Sequence, residues 1–392
     1  MKKGLIIFSL ATLCVTSQAQ KGWTLRQCID YAIEHNIEIQ QTANEAEQNA
    51  IEVNTAKWAR LPNLSGSAGQ NWSWGRSQSP KDNTYSDVNS GSTQFGLNTN
   101  VPLFTGLQLP NQYALSKLNL KAAIEDLNKA KEDIAINVTS SYLQVLFNME
   151  LSKVAASQTE LSKEQCKRII RLAEVGKASS AEVAEAKARV AQDEMSLVQA
   201  ENNYQLALLD LSQLLELPTP EGFTLAQPDT VVNFAPLTAP DDIYTEALSN
   251  KPGIRAAQFR LEGSEKSIRI AQSNYYPQLS FGASIGTNFY TLNGSAEHSF
   301  GSQLKNNLNK GIGFNLSVPL FNRLATRNRV RSARLQQTNL ALQLDNTKKV
   351  LYKEIQQAWY NAVAAESKFN SSMAAVTANE ESFRLMSEKF DN

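Results

Sequence analysis

Four segments of the chain alternate between apolar and polar side chains, the pattern of β-strands whose two faces lie in different environments. In the clearest segment, Phe95 and Leu97 alternate with Gln94 and Asn98. The strands are predicted at about residues 63–76, 92–104, 278–290 and 311–321. Their polar positions are uncharged Ser, Asn, Gln and Gly, and each segment runs for roughly 10 residues, the length that a tilted strand needs to cross a bilayer. The pattern therefore predicts transmembrane strands with one face in lipid and the other toward a wet lumen.

Aromatic side chains stand at the loop-proximal ends of two of these strands. They are Trp72 and Trp74 on the first strand, and Phe289 and Tyr290 on the third. Amphipathic rings at such positions sit at the headgroup boundary of a bilayer. We therefore expect these four residues at the membrane interface.

The segments between strand partners are polar, and prolines follow the apolar runs of the returning strands. Residues 77–91 and 291–310 read as solvent-facing turns on the far side of the membrane. Pro102 and Pro319 remove a ladder donor, so we expect strand to give way to helix at these two points.

Long helices are predicted after the strands. Residues 111–174 contain neither proline nor glycine, and their apolar positions follow a three-four spacing. A helix of this length reaches roughly 95 Å at 1.5 Å per residue. The next helix has apolar residues at seven-residue intervals, namely Val183, Val190, Leu197, Tyr204 and Leu211. In the later part of the chain Leu344, Leu351 and Ala358 keep the same interval, so both regions predict coiled-coil packing.

The first two long helices are joined at a predicted hairpin tip. Gly176 suits the left-handed residue that ends a helix. Ser179 or Ser180 suits the N-cap of the next helix, with Glu182 in its first turn. A plain turn between two helices explains the same residues.

The chain repeats this organisation. Ala32, Ile39, Ala56, Pro62 and Leu64 recur at one constant offset as Ala247, Ile254, Ala271, Pro277 and Leu279. Val101–Phe104 recurs as Val318–Phe321, and each copy reads helix, strand, loop, strand, long helix. We expect a first repeat at 20–216, a proline-rich linker at 217–240, and a second repeat at 241–392. Such a duplication is typical of one supersecondary unit used more than once around an axis.

The N-terminus predicts export. Residues 1–19 combine two lysines, an apolar core and a small-residue cleavage site, the features of a secretory signal peptide cleaved after Ala19. Cys14 follows Leu13 where a lipoprotein needs a small residue, so lipidation is not the favoured interpretation. No other apolar run is long enough for a transmembrane helix.

Composition excludes several classes of function. The formal net charge is zero, which gives no electrostatic case for nucleic acid. The chain has only two histidines, which argues against a histidine metal site and against a Ser-His triad. The sequence contains no phosphate-binding glycine loop. Cys28 and Cys166 do not form a disulfide framework, and Asp241 and Asp242 read as a helix cap. We therefore expect no enzyme, no cofactor, and no catalytic or metal site.

Four strands are too few to close a membrane barrel. The smallest such barrels have about 8 strands, and lipid does not tolerate unpaired edges. Copies of the chain must therefore complete the wall, as eight strands in a dimer or twelve in a trimer. A soluble β-sandwich face explains one alternating strand as well, but four paired and repeated strands in an exported chain favour the barrel.

At this point the chain resembles the TolC-like outer membrane efflux protein family. The resemblance is carried by Leu61–Leu64, Tyr276–Leu279, Val101–Phe104, Val318–Phe321 and the tip residues Val175–Gly176. It implies a homotrimer in the cell outer membrane, with a twelve-stranded β-barrel, four strands per chain, continued by a periplasmic α-barrel of coiled-coil helices. It also implies an equatorial region drawn from residues 217–240.

The resemblance further implies partners at the hairpin tip, where a periplasmic adaptor and an inner-membrane pump dock in the family. The residues carried over as adaptor-binding are Arg171, Glu174, Val175, Gly176, Lys177 and Ser179. Lys177 departs from the family motif, which has leucine there. A lysine fits an acidic partner residue, although a solvated side chain is the simpler expectation.

The sequence thus predicts a passive exit duct of a tripartite efflux or type I secretion system, opened by an adaptor and driven by a pump. Two alternatives are a periplasmic adaptor, which has a long hairpin without lipid-type strands, and a trimeric coiled-coil adhesin with an anchor barrel. The second repeat reaches, at residues 383–392, the place where the first has Gly176. We expect on this ground that the second hairpin is incomplete in this chain, which leaves gate residues unassigned.

Overall fold

A computed structural model describes residues 22–78, 83–87, 89–219, 222–226, 235–293 and 296–391. The predicted signal peptide and Cys14 lie outside the described residues, as do parts of the linker and of both predicted turns. In chain order the first elements are α1 (Leu25–His35), α2 (Ile37–Trp58), β1 (Asn63–Ser73), β2 (Arg76–Gln78), β3 (Tyr85–Asp87), β4 (Ser90–Phe104), α3 (Gln108–Glu174) and α4 (Ser180–Leu214). They are followed by α5 (Pro240–Asn250), α6 (Pro252–Ser273), β5 (Gln278–Leu292), α7 (Phe300–Asn306), β6 (Asn309–Ser317) and α8 (Ala325–Asp391).

The duplication seen in the sequence is also present in the backbone. Helices α2 and α6 each have 22 residues, and α3 and α8 each have 67. Both copies pass from the second strand to the long helix through two residues of positive φ. These are Gly106 and Leu107 (62° and 65°) in the first copy, and Arg323 and Leu324 (53° and 62°) in the second. The same turn is therefore built twice, once with glycine and once with arginine at its first position.

The chain forms two compact units, whose boundaries differ from those of the sequence repeats. Unit 1 comprises the described residues up to Thr42 and those of Leu127–Ala235. Unit 2 comprises Ala43–Asp126 and the described residues of Pro236–Asn392. Strands from both repeats pair in unit 2, which explains why the units differ from the repeats.

Unit 1 has a helical core in which α1 packs with parts of α3 and α4. Its buried members are Cys28, Ala32, Ile39, Ile134, Val138, Tyr142, Val145, Ala207, Leu208, Leu211, Leu215 and Phe223. The Tyr142 hydroxyl donates to the carbonyl oxygen of Ala226 (2.8 Å) and lies 3.2 Å from that of Trp23. Trp23 and Leu225 form a parallel bridge, so one aromatic hydroxyl fixes both chain segments over the core.

Small and polar residues lie between α3 and α4 in their hairpin. The hydroxyl of buried Thr159 donates to the Ala155 carbonyl (2.8 Å) and lies 3.2 Å from the Asp193 carbonyl oxygen on α4. The Asn148 amide donates to the Asn203 carbonyl (3.2 Å). The predicted seven-residue series from Val183 to Leu211 is less exposed than its neighbours on α4. The two helices therefore pack against each other, with this series on the less exposed side of α4.

Unit 2 contains an antiparallel four-stranded sheet in the order β1-β4-β5-β6. The central β4–β5 pair joins the two repeats. Helix α6 packs against α8, with Val330 and Leu344 of α8 buried. The guanidinium of Arg255 on α6 lies 2.7 Å from the buried carboxylate of Glu125 on α3, so a charged pair adds to the helix packing of this unit.

The structure corrects four sequence expectations. Strand β4 continues through Pro102 to Phe104, because β1 has ended there and no strand needs the missing proline N–H. Strand β6 ends at Ser317, before Pro319, and thus falls short of the predicted residue 321. The predicted loops contain the β2–β3 hairpin and helix α7, which are too short to leave a periodic signal.

Among the described residues, no helix combines the length and apolar character required to span a membrane. Cys28 and Cys166 are both buried and free, as expected from the sequence.

Replacement of Gly106 by alanine should destabilise unit 2. A Cβ there would lie 2.5 Å from the carbonyl oxygen of Ser273 and 2.9 Å from Cβ of Tyr276, at a φ of +62°. We expect Gly106→Ala to lower the free energy of unfolding by about 2–4 kcal/mol, measured by chemical denaturation of the detergent-solubilised protein. Gly301→Ala, whose Cβ would meet nothing within 4 Å, is the matched control and should change stability little. Equal stabilities of the two variants would contradict this account.

Candidate functional site: a two-faced sheet and a helical hairpin tip

One face of the sheet is polar and uncharged. The register brings the following residues to the same side across the four strands: Asn63, Ser65, Ser67, Gly69, Asn71 and Ser73; Ser90, Ser92, Gln94, Gly96, Asn98 and Asn100; Ser280, Gly282, Ser284, Gly286 and Asn288; Asn309, Gly311, Gly313, Asn315 and Ser317. The exceptions on this side are Pro102, Tyr290 and Leu292 at strand ends. Hydroxyls and amides without charge form a hydrated surface that holds ions only weakly.

The opposite face is apolar and uncovered. Its large apolar side chains are Leu64, Trp72, Phe95, Leu97, Val101, Leu279, Phe281, Ile285, Phe289, Ile312, Phe314 and Leu316. Gln70 and, near the start of β6, Lys310 also lie on this side. Leu64 is 77% exposed and Ile312 is 82% exposed, on the two outer strands. Phe281 and Phe314 lie with ring centroids 5.3 Å apart across β5 and β6. A continuous exposed apolar surface of this kind indicates contact with lipid or with another protein surface.

The two edges of the sheet are β1 and β6. Strand β6 pairs with only part of β5, Gln278–Gly286. Above it, the side-chain amide of Gln303 on α7 accepts from the Tyr290 N–H (2.9 Å) and donates to the Tyr290 carbonyl (3.0 Å). Buried Gln303 thus reproduces the two bonds of a neighbouring strand residue, and α7 covers the part of the β5 edge that β6 leaves open.

The predicted interface aromatics point in two directions. Trp72 and Phe289 belong to the apolar face, while Tyr290 belongs to the polar face opposite Ser92. Trp74 lies just beyond the end of β1 and is 73% exposed. The Phe289 ring packs on Phe300 of α7 at 4.9 Å between centroids. Trp72 and Phe289 therefore share the apolar face and Tyr290 lies on the polar face, while a membrane-interface position stays a prediction for all four residues.

The hairpin tip ends α3 by a regular backbone motif. Gly176 has a φ of +72°. The Lys177 N–H donates to the Leu172 carbonyl (2.8 Å), and the Gly176 N–H donates to the Ala173 carbonyl (3.0 Å). These two bonds define a Schellman motif, with Gly176 at the left-handed position and Lys177 at the position that usually makes an apolar contact.

Helix α4 begins with a capping box. Its N-cap Ser179 accepts from the Glu182 N–H (3.2 Å), and the Glu182 carboxylate accepts from the Ser179 N–H (2.6 Å) and hydroxyl (2.9 Å). These hydrogen bonds lower the pKa of Glu182 below its usual value. Ser179, and not Ser180, is therefore the cap, which decides the choice that the sequence left open.

The remaining tip residues present their side chains to solvent. Arg171, Glu174 and Lys177 are exposed, and Val175 is 67% exposed. A shallow groove beside them is lined by Glu164, Gln165, Lys167, Arg168, Arg171, Leu172 and Val175. The tip belongs to unit 1 and the sheet to unit 2, so the predicted residues form two separate groups.

A buried thiol and a phenol lie in the core of unit 1. Burial raises the pKa of the Cys28 thiol to about 11, and burial together with the nearby Cys28 raises the pKa of Tyr142. Both groups are therefore neutral at physiological pH, which suits a role in packing.

Comparison with known proteins agrees with this geometry. The family model described as outer membrane efflux protein matches residues 28–216 and 243–392. The chain belongs to the outer membrane efflux protein family. Outer membrane protein TolC of Escherichia coli (strain K12) is 23% identical, over 98% of this chain and 77% of its own length. Pyoverdine export outer membrane protein OpmQ of Pseudomonas aeruginosa is 26% identical, over 60% of this chain and 47% of its own length. The solved structure of the outer membrane protein VceC of Vibrio cholerae is similar with a TM-score of 0.74 and 18% identity, covering 91% of this chain and 83% of its own.

Family membership confirms the expected efflux function and outer membrane localisation. It decides against the periplasmic adaptor and the adhesin. This outer membrane efflux protein belongs to a family of transport channels rather than to a family of enzymes.

Two features of the structure, the role of Gln303 and the arginines of α8, are not predicted by the hydrophobic pattern of the sequence. Gln303 gives no signal of its strand-like role, because that role depends on where α7 lies. The arginines at residues 323–334, at the start of α8, are a local concentration of positive charge that can be seen in the sequence. The hydrophobic periodicity does not reveal it.

Loss of the cap should loosen the tip. We expect Ser179→Ala to cost about 1 kcal/mol of local stability, because the Glu182 N–H loses its acceptor. Amide hydrogen exchange in the first turn of α4 should then be faster by about fivefold. Ser180→Ala, one residue into the same helix, is the control and should leave the exchange rate close to that of the original protein. Similar rates in both variants would argue that the capping box does not hold this turn.

Proposed function

We propose that this outer membrane efflux protein is a passive exit duct whose wall is a β-barrel completed by identical chains. The observation that carries the proposal is the sheet, which has one polar uncharged face, one exposed apolar face, and two unlike free edges. Unpaired backbone groups cost several kcal/mol each in hydrocarbon, so the edges need partners. The edge β1 of one copy is available to the edge β6 of the next, a head-to-tail contact that closes a ring.

The polar face favours a trimer over a dimer. Eight strands enclose a space that side chains fill, whereas larger barrels leave an aqueous channel. A face of serine, asparagine and glycine without charge gains from water and would be poorly matched to a packed interior. Twelve strands from three chains give a lumen of the wider kind, in agreement with the homotrimer that the family resemblance implies.

Uncovered apolar side chains on the helices support the same assembly. In unit 1, α3 exposes Leu143, Phe147, Leu151, Val154 and Leu161 along its length. They recur at intervals of three, four and seven residues, the spacing of a coiled-coil seam. Neighbouring chains that cover this stripe would continue the β-barrel as a tunnel of helices across the periplasm.

We assign the hairpin tip to partner binding. A periplasmic adaptor would contact exposed Arg171, Val175 and Lys177 and thereby open the duct, while an inner-membrane pump supplies the energy. The supporting observations are the exposure of these side chains and the ordered backbone of the Schellman turn and capping box. In this assignment Glu174, Gly176 and Ser179 shape the turn.

Assembly and conduction test the proposal together. The purified protein should run as a heat-resistant trimer in detergent, and its reconstitution into planar bilayers should give water-filled conductance with weak ion selectivity. A monomer that retains its β-sheet signal by circular dichroism would overturn the proposal. A trimer without conductance, even with the adaptor added, would overturn the duct while leaving the assembly intact.

The two faces of the sheet can be distinguished at neighbouring residues. Ser284 and Ile285 on β5 point to opposite sides and are both exposed in the single chain. In a Cys28→Ala, Cys166→Ala background, spin labels at Ser284→Cys should be accessible to a water-soluble nickel chelate. Labels at Ile285→Cys should instead be accessible to oxygen dissolved in the bilayer. The reverse pattern, or nickel access at both positions, would contradict a lumen on the polar side.

A further inference from the structure

The start of α8 carries a dense cluster of positive charge. Five arginines fall within residues 323–334 of a chain whose formal net charge is zero. They are Arg323, Arg327, Arg329, Arg331 and Arg334, and all five are exposed. Within the described ranges, none of them forms an ion pair with a carboxylate. Some other exposed cations, such as Lys163 and Lys349, have such partners, whereas others, such as Lys187 and Arg189, show none in the described part of the chain, so the distinguishing feature of the cluster is its density.

Three of the five arginines share one face of α8. Arg327, Arg331 and Arg334 follow the i, i+4, i+7 spacing of a single helix stripe. Thr326 and Val330, which are buried, mark the packed side of the same helix, and the stripe lies beside it. Arg323 lies two residues before α8, in the turn of positive φ that leads into the helix. We call the exposed surface of these four arginines the arginine face.

The fold itself does not require this charge. The first copy builds the same turn and an equally long helix, with Gly106, Pro110, Ala114 and Lys117 at the equivalent positions. Three of these four residues are uncharged. The arginine face is thus present in one repeat only. The shared backbone structure does not account for it, so we look for a molecule that contacts these arginines.

Two local features of the start of α8 are unfavourable, and the second of them points to a bound anion. Arg323 holds a φ of 53°, a conformation that is unfavourable for a residue with a side chain and accessible to glycine, and the first copy has glycine there. Arg327 lies in the first turn of α8, where the helix dipole disfavours cations and no acidic residue is present. A bound anion reverses the second cost, because it interacts favourably with both the arginine and the helix N-terminus.

Apolar residues beside the arginine face indicate where this anion is found. The segment between β6 and α8 exposes Leu320 (92%) and Phe321 (80%), together with Val318 and Leu324. The segment directly continues a strand whose apolar face is exposed. Exposed leucine and phenylalanine next to arginines form the pattern of a surface that lies in the boundary between acyl chains and headgroups.

We propose that the β6–α8 junction is a binding site for anionic phospholipids. Leu320 and Phe321 contact acyl chains, and Arg323, Arg327, Arg331 and Arg334 bind headgroup phosphates by charge-assisted hydrogen bonds. The site rests on the proposed function, because it requires the sheet to lie in the bilayer. It would mark the membrane boundary on the periplasmic side, opposite the loops, and anchor each chain at a fixed depth.

Lipid binding by a fourfold variant tests this site. The variant carries Arg323→Gln, Arg327→Gln, Arg331→Gln and Arg334→Gln in the full chain. The probes are nanodiscs of phosphatidylcholine alone and of phosphatidylcholine mixed with phosphatidylglycerol. The readouts are phosphatidylglycerol molecules retained in native mass spectrometry and the shift of the melting temperature with phosphatidylglycerol. We expect the variant to lose the shift and to bind phosphatidylglycerol at least about tenfold more weakly, since each arginine near a charged surface contributes a factor of about five.

A second variant controls for the loss of four charges. Lys187→Gln, Arg189→Gln, Lys353→Gln and Lys368→Gln removes the same charge from exposed helix positions elsewhere, and it should retain lipid as the original protein does. Equal phosphatidylglycerol binding by the two variants would overturn the site. Unchanged lipid binding with altered anion selectivity of the conductance would also overturn it, because the arginines would then face the lumen. Trimer formation and conductance in phosphatidylcholine alone test the proposed function separately.

Discussion

The free edges of the sheet are the constraint on which the rest of this structure depends. A backbone N–H or carbonyl in hydrocarbon has no water to bond, so every strand in a membrane needs a neighbour on each side. Within the chain, β4 and β5 meet this requirement over most of their length by pairing with one another and with β1 and β6. Gln303 meets it for Tyr290 with a side-chain amide. The outer edges of β1 and β6 stay open within one chain, and this is why we propose that identical chains complete the wall.

The same requirement explains why a duplicated sequence folds as two units that mix its repeats. Two strands from one repeat make a ribbon that is marginal on its own, whereas four strands make a stable sheet. The strongest long-range pairing of the chain therefore runs between repeats, at β4 and β5. The remaining parts of each copy are helices, whose backbone bonds are satisfied locally. They need only side-chain contacts, such as those of Tyr142 in unit 1 and of Arg255 in unit 2.

The sequence predicts those features that depend on periodicity and fails where tertiary position decides. Alternation is a local property, so the strand segments and the side of Phe95 or Ile285 follow from the residue pattern alone. Glycine and capping residues locate the hairpin tip for the same reason. Phe289 and Tyr290 are adjacent on β5 and point to opposite faces, as the two-residue period requires, and their place at a membrane interface stays a prediction. Pro102 cannot be placed correctly from the sequence, because its tolerance depends on where β1 ends on the neighbouring strand. Helix α7 is equally hidden, since seven residues carry too little periodic signal and its anchor, Gln303, looks like any polar loop residue.

The duplication also allows the two copies to diverge where the fold leaves freedom. Gly106 fits tightly against Ser273 and Tyr276, so in the first copy the turn after the strand is restricted to the smallest residue. The second copy forms the same backbone turn with Arg323, whose side chain is exposed and therefore free of such a clash. Packing thus restricts position 106 to glycine, whereas the equivalent position 323 accepts a large side chain. A charged residue at a position with an unfavourable φ, next to uncovered Leu320 and Phe321, is best explained by the environment outside the chain. The asymmetry between the copies therefore supports the lipid contact proposed for the second turn.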